Sequence, residues 1–94
     1  MSETQKLKTS YVYVIGTMIG TKVRTYVGWT YDIEKRIKTH NAGKGAKCTK
    51  GYQWKLIYSE QLEGKVAAMS REWYLKKDKS FRHKLRKRYL TLEQ

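Results

Sequence analysis

Hydrophobic and aromatic residues fall in short runs separated by polar, glycine-bearing stretches. Residues 11–18 read YVYVIGTM, rich in aromatic and β-branched side chains, which predicts a strand. Residues 19–22 form a tight turn in this reading, with Gly20 supplying a positive φ. Residues 23–29 (VRTYVGW) are a second strand, and the two make a β-hairpin. Gly16 and Gly28 interrupt these strands, and interior glycines mark bulges or close backbone approach. Thr30 or Asp32 is placed to cap a helix that runs to about Ala42 and ends at Gly43.

Residues 43–52 (GKGAKCTKGY) read as a glycine- and lysine-rich loop, and residues 54–59 (WKLIYS) as a third strand. A second helix is expected over 65–77, and Ser80 can cap a short, very basic third helix to about Tyr89. The order β-β-α-β-α-α predicts a small α/β (α+β) single domain, with a three-stranded antiparallel sheet flanked by helices. The domain is expected over residues 10–90, after a polar, flexible segment at 1–9.

Both longer helices carry ionisable residues where a core stripe should be. At 100° per residue, Arg36, His40 and Ile37 each fall within about 60° of Ile33 around the helix. The inward stripe of the first helix is therefore Ile33, Arg36, Ile37 and His40. Burying such groups without partners costs several kcal/mol, so a cleft at the core edge is one reading. The other is that Arg36 snorkels outward and His40 is a satisfied core histidine. On the second helix Glu72 sits amid Ala68, Met69, Leu75, Trp73 and Val66. A carboxylate there calls for a metal ion or an ion-pair partner such as Arg36 or Lys76. Tyr13 and Tyr26 lie near one another across the hairpin, although tyrosine is also simply a good strand residue.

Charge narrows the function classes. The 94 residues include 21 Lys and Arg against eight Asp and Glu, a net charge of +13. A polyanion relieves such self-repulsion, and a nucleic-acid backbone is the commonest one. No apolar run approaches a membrane span, no amphipathic or lipid anchor is visible, and the N-terminus does not read as a signal peptide. The single cysteine, Cys48, forms no internal disulfide and fits a reducing, cytoplasmic setting. Residues 76–90 carry eight Lys or Arg and one acid, Asp78. Phe81 and Leu85 can dock that helix and leave Arg82, Lys84, Arg86, Lys87 and Arg88 facing solvent. With Lys76 and the loop residues Lys44, Lys47 and Lys50, these are candidate backbone-binding residues, or a plain solvated face.

The ordered motifs resemble the GIY-YIG nuclease superfamily. Tyr11-Val12-Tyr13 is similar to the first signature triplet and Tyr26-Val27-Gly28 to the second. Residues 29–41 (WTYDIEKRIKTHN) are similar to the family's YIGxTxNLxxRLxxHN stretch, with Asp32 where asparagine is usual. Residues 43–49 resemble the GKGAKYT loop of short stand-alone bacterial members, with Cys48 for tyrosine. Ala68, Glu72, Leu75, Lys76 and Lys77 match the family's AxxxExxLKK helix. The resemblance covers residues 11–79 and relates the chain to the catalytic domains of Slx1-type nucleases and of the ABC excinuclease.

That resemblance implies a metal-dependent endonuclease acting on DNA rather than RNA, structure-specific and serving repair or recombination. Glu72 is expected to ligate one divalent cation, Mg²⁺ or Mn²⁺, and Arg36 to hold the scissile phosphate. Tyr13 and Tyr26 are expected beside the attacking water, Tyr26 being the preferred base, with His40 supporting the base or contacting phosphate. A tyrosine base requires positive charge to bring its pKa down from ~10, and Arg36, the cation and the basic field are expected to do so. The competing reading is a non-catalytic nucleic-acid-binding module on the same fold.

Overall fold

The computed structural model describes residues 7–92. Strands β1 (Thr9–Ile19) and β2 (Lys22–Thr30) are followed by α1 (Ile33–Asn41), β3 (Lys55–Glu63), α2 (Lys65–Lys77) and α3 (Lys79–Leu92). The expected order β-β-α-β-α-α holds. The sheet is antiparallel in the order β2-β1-β3, so β1 lies at its centre. Residues 1–6, most of the segment expected to be flexible, lie outside the described residues, while Thr9 already belongs to β1.

The hairpin closes through Gly20 and Thr21, between the paired residues Ile19 and Lys22. Gly20 takes φ 61 at the first of these positions, a backbone region that costs glycine little. Alternation along β1 gives the sheet two apolar faces. Val12 and Val14 point to one, where they meet Val27, Ile57, Ala68 and Leu75 of α2, and Leu85 and Tyr89 of α3. Tyr13 and Ile15 point to the other, with Trp54 and the half-buried Tyr26, Ile37 and Tyr52. A β-bulge at Val14/Ile15 shifts the register against β3. Beside it Gly16 leaves room for Ile57 and Tyr89, since any Cβ would strike the Ile57 side chain.

Asp32 is the residue that caps α1: its carboxylate accepts from the Lys35 amide at 3.1 Å. At the other end Gly43 takes φ 78, and amides of Gly43 and Lys44 bond His40 O and Thr39 O. This paired closure ends the helix cleanly and fixes His40 in its last turn. At the start of α2, Gly64 takes φ 88, and its backbone bonds both Lys8 O and Ser10 Oγ at 2.8 Å. The start of β1 thereby sets where α2 begins. Arg71 of α2 pairs with Glu60 of β3, which also accepts from Tyr58 Oη.

Four local expectations are corrected. Trp54 lies ahead of β3 rather than in it. Asn41 holds it there, bonding its amide at 2.6 Å and its carbonyl at 3.2 Å. β3 runs on to Glu63 because Ser59, Glu60, Gln61 and Glu63 are carried by pairing with β1, which hydropathy does not report. Asp78, not Ser80, caps α3, accepting from the Phe81 amide at 3.0 Å, and the helix continues to Leu92. On α2 the buried positions are Ala68 and Leu75, so Glu72 lies at the edge of the inward face rather than its middle. Val66, Met69 and Trp73 are left exposed.

Candidate active site

The hairpin brings Tyr13 and Tyr26 onto one sheet face at diagonal positions. Tyr13 pairs with Gly28 and Tyr26 with Ile15, and the ring centroids are 6.5 Å apart. Gly28 makes the arrangement possible. A Cβ there would sit 2.5 Å from Tyr13 Oη, so the phenol lies over bare backbone. His40, from the last turn of α1, meets both rings edge-on at 5.9 and 5.0 Å.

A hydrogen-bond chain runs inward from Tyr13. Tyr13 Oη lies 2.8 Å from His40 Nε2, and His40 Nδ1 lies 2.8 Å from Thr49 Oγ1. Thr49 donates its hydroxyl proton to Ala46 O at 2.8 Å, so its oxygen is left to accept from Nδ1–H. Nε2 is then the lone-pair nitrogen and accepts from Tyr13 O–H. The tautomer follows from the network. His40 is fully buried, and burial, reinforced by Arg36, lowers its pKa and keeps it neutral.

Both tyrosines respond to burial first. Tyr13 is pushed up to about 12, although the neighbouring Arg36 pulls the other way. Tyr26 is also raised, by burial and then by Cys48, against Lys76. Arg36 and the protein's other charges alone therefore do not bring about the expected lowering. A phenol packed among Ile15, Trp54 and His40 loses more hydration than one guanidinium restores.

Arg36 is half-buried and acts directly on the Tyr13 hydroxyl. It also lines a cleft of 430 Å³ with Lys8, Thr30, Tyr31, Asp32, Lys35 and Thr39. Glu72 is within electrostatic reach of both tyrosines and keeps 20% of its side chain exposed. Its Oε2 pairs with Lys76 at 3.2 Å, so the ion-pair alternative for Glu72 is realised in part, with Lys76 and not Arg36. Among the described residues no three His, Cys, Asp or Glu converge as a metal cluster. A single carboxylate among hydroxyls suits a hard cation such as Mg²⁺, which keeps most of its waters. Thus Tyr13, Tyr26, Arg36, His40 and Glu72, spread over four elements, converge.

The basic residues divide. Lys44, Lys47 and Lys50 are exposed on the loop, and Lys76, Lys84, Lys87 and Arg88 on the helices. Arg82 and Arg86 are half-buried instead, lining a cleft with Lys22, Arg24 and Thr25 of β2. Among the described residues Arg82 Nε is buried and meets no hydrogen-bond partner. The stems of these arginines pack because α3 turns that side toward the hairpin.

Sequence reasoning missed the parts that hold His40. Gly45 lies against the imidazole so closely that any Cβ would overlap the ring. Thr49 is fully buried and bonded on both sides. Trp54 Nε1 bonds Thr49 O at 2.8 Å, tying the loop to the second face of the sheet. The alternation of glycine, alanine and threonine in residues 43–49 was the available signal, hidden behind three conspicuous lysines.

Residues 9–87 match the profile of the GIY-YIG catalytic domain. Over 69 residues the chain is 48% identical to UPF0213 protein CPE1444 of Clostridium perfringens, covering 72% of this chain and 71% of that one. It is 45% identical over 80 residues to UPF0213 protein SpyM3_1077 of Streptococcus pyogenes, covering 83% of each. No solved structure matches the chain significantly.

Proposed function

Because the chain belongs to the GIY-YIG catalytic-domain family, a nuclease family, and within it is similar to short stand-alone bacterial proteins, we propose that it is a metal-dependent endonuclease hydrolysing phosphodiester bonds in DNA. The observation that carries this reading is the oriented chain from Tyr13 through neutral His40 to Thr49, beside Arg36 and Glu72.

Neither tyrosine is a phenolate at neutral pH, since both pKa values are raised. A base in this site must therefore pass its proton on as it receives one. Tyr13 can do so, because its O–H already points at the lone pair of His40. This favours Tyr13 over Tyr26 as the group that takes the proton from water. Water attacks phosphorus and its proton goes to Tyr13 Oη, while the phenol proton moves to Nε2. The phosphorus–oxygen bond to the leaving strand breaks, its electron pair stays on the leaving oxygen, and that oxygen takes a proton from solvent. The resulting imidazolium keeps both N–H groups bonded, to Tyr13 and to Thr49. Arg36 disfavours that charge in the free protein, and a phosphate paired with Arg36 removes the penalty. Tyr26 packs edge-on against His40 and borders the water site. Glu72 would hold the cation, which neutralises developing charge on the phosphate oxygens.

Lys8, Lys35 and Arg36 around the cleft, with the exposed lysines of the loop and helices, suit a sugar–phosphate backbone. We assign the substrate to branched or flapped DNA and the setting to cytoplasmic repair or recombination, where Cys48 stays a free thiol. Among the described residues no helix is long and apolar enough to cross a membrane. A cleavage panel of flap, bubble and duplex DNA, titrated with Mg²⁺ or Mn²⁺, tests the proposal. Nicking is expected for the native chain and its loss in Glu72→Ala, Arg36→Ala and Tyr13→Phe. Binding of every substrate without nicking at any metal concentration would leave the non-catalytic module.

A further inference from the structure

The apolar arc of α2 is larger than the core uses. Ala68 and Leu75 are buried, but Trp73 is 54% exposed, Met69 48% and Val66 81%. These side chains lie within about 60° of one another around the helix. Lys77 Nζ sits 4.1 Å above the Trp73 ring, and Tyr74 meets its edge at 5.0 Å. The patch adjoins Glu72, whose sequence neighbour is Trp73, and Lys76, which pairs with that carboxylate.

The charges decide what can cover this face. A second protein surface packed on Trp73 would bury the Lys77 ammonium above the ring as well, and a charge is costly to bury. An exposed indole flanked by lysines on a chain of net charge +13 instead matches a nucleotide. The base stacks on the ring, and the phosphates on either side meet the ammonium groups. A base inside an intact duplex offers no free face for stacking, so the nucleotide must be unpaired.

We propose that Trp73 is a stacking platform for an unpaired base next to the phosphodiester held at Glu72, which makes the substrate a junction of single-stranded and duplex nucleic acid. The adjacency to a reacting phosphodiester rests on the endonuclease reading; the platform itself does not. The platform gives α2 two tasks on adjacent residues, with Glu72 facing the reacting phosphate and Trp73 holding the neighbouring nucleotide out of a helix.

The test measures binding in EDTA, where no cleavage occurs. Trp54 is buried and Trp29 half-buried, so quenching of tryptophan emission by added oligothymidylate reports chiefly on Trp73. The native chain should quench. Trp73→Ala should bind oligothymidylate and flap DNA about 5- to 100-fold more weakly, the loss expected for one base–aromatic stack. Blunt duplex affinity should stay the same, and Trp73→Phe should retain most single-strand affinity. An equal loss on duplex, or no loss on either, overturns the proposal. So does a change of sedimentation mass from dimer to monomer in Trp73→Ala with DNA affinity intact, which would make the face an interface between copies. The two readings separate cleanly. If the platform fails while the native chain nicks flaps with Mg²⁺, the nuclease reading stands. If binding behaves as expected and no metal supports nicking, the platform stands alone.

Discussion

The His40 ring has no solvent access, and both of its nitrogens are engaged. In the unfolded chain it titrates near ~6.5, and in the fold burial and Arg36 hold its pKa lower. As pH falls, the unfolded state therefore takes up the proton first, and folding stability drops. The contribution is complete above about pH 6.5 and disappears as pH falls through the folded pKa. Thermal melts across mildly acidic pH should show this slope, and His40→Gln should flatten it even if its melting temperature is lower throughout. Cleavage should fall over the same window, because protonated His40 cannot accept from Tyr13. Gly28 makes a second single-atom demand. Gly28→Ala puts a methyl 2.5 Å from Tyr13 Oη, and such overpacking costs about 1–3 kcal/mol. Its cleavage rate should drop far more than its DNA affinity, since the displaced group is the phenol and not a phosphate contact.

Among elements, the helix starts carry more weight than their solvent exposure suggests. Asp32 and Asp78 each bond an amide in the first turn of their helix. Replacement of either by Ala should cost about 1 kcal/mol in a denaturant titration. The element order was legible in the sequence because residues 11–29 hold a strong β pattern broken by one turn, and the apolar residues of 65–77 recur at helical spacing. The limits of β3 and α3 were not. Ser59, Glu60 and Gln61 extend β3 only because β1 lies alongside, and α3 starts one cap earlier than its serine suggested. The grouping was legible: Tyr13, Tyr26 and His40 are in contact, and Arg36 and Glu72 lie within electrostatic reach of both tyrosines, while their roles stay a proposal. Its electrostatics were not, because a sequence shows the nearby cations but not the burial that outweighs them at Tyr13. Thr49 and Gly45 escaped notice because their value lies wholly in what they touch.

For the molecule as a whole, +13 on 94 residues makes association with nucleic acid a counterion-release process. The logarithm of the DNA association constant should fall linearly with the logarithm of salt, by about 0.9 per phosphate neutralised on duplex. Lys84→Gln or Lys87→Gln should lower that slope by about 1 each where they contact phosphate, and leave the cleavage pattern unchanged. A salt-independent affinity would contradict backbone recognition by α3 and the loop.

The central position of β1 sets the order in which all of this comes into being. Its partner on one side is β2, the next strand in the chain, and a hairpin of that kind forms within microseconds. Its partner on the other side is β3, with Thr9 opposite Glu63, a pairing that closes a long loop before any contact rewards it. Glu72 follows β3 and Tyr13 precedes it, so these two side chains meet only after that slow closure. A refolding chain is expected to regain its hairpin early and to bring Tyr13 and Glu72 together last, so a half-folded copy lacks the assembled site on which the proposed cleavage depends.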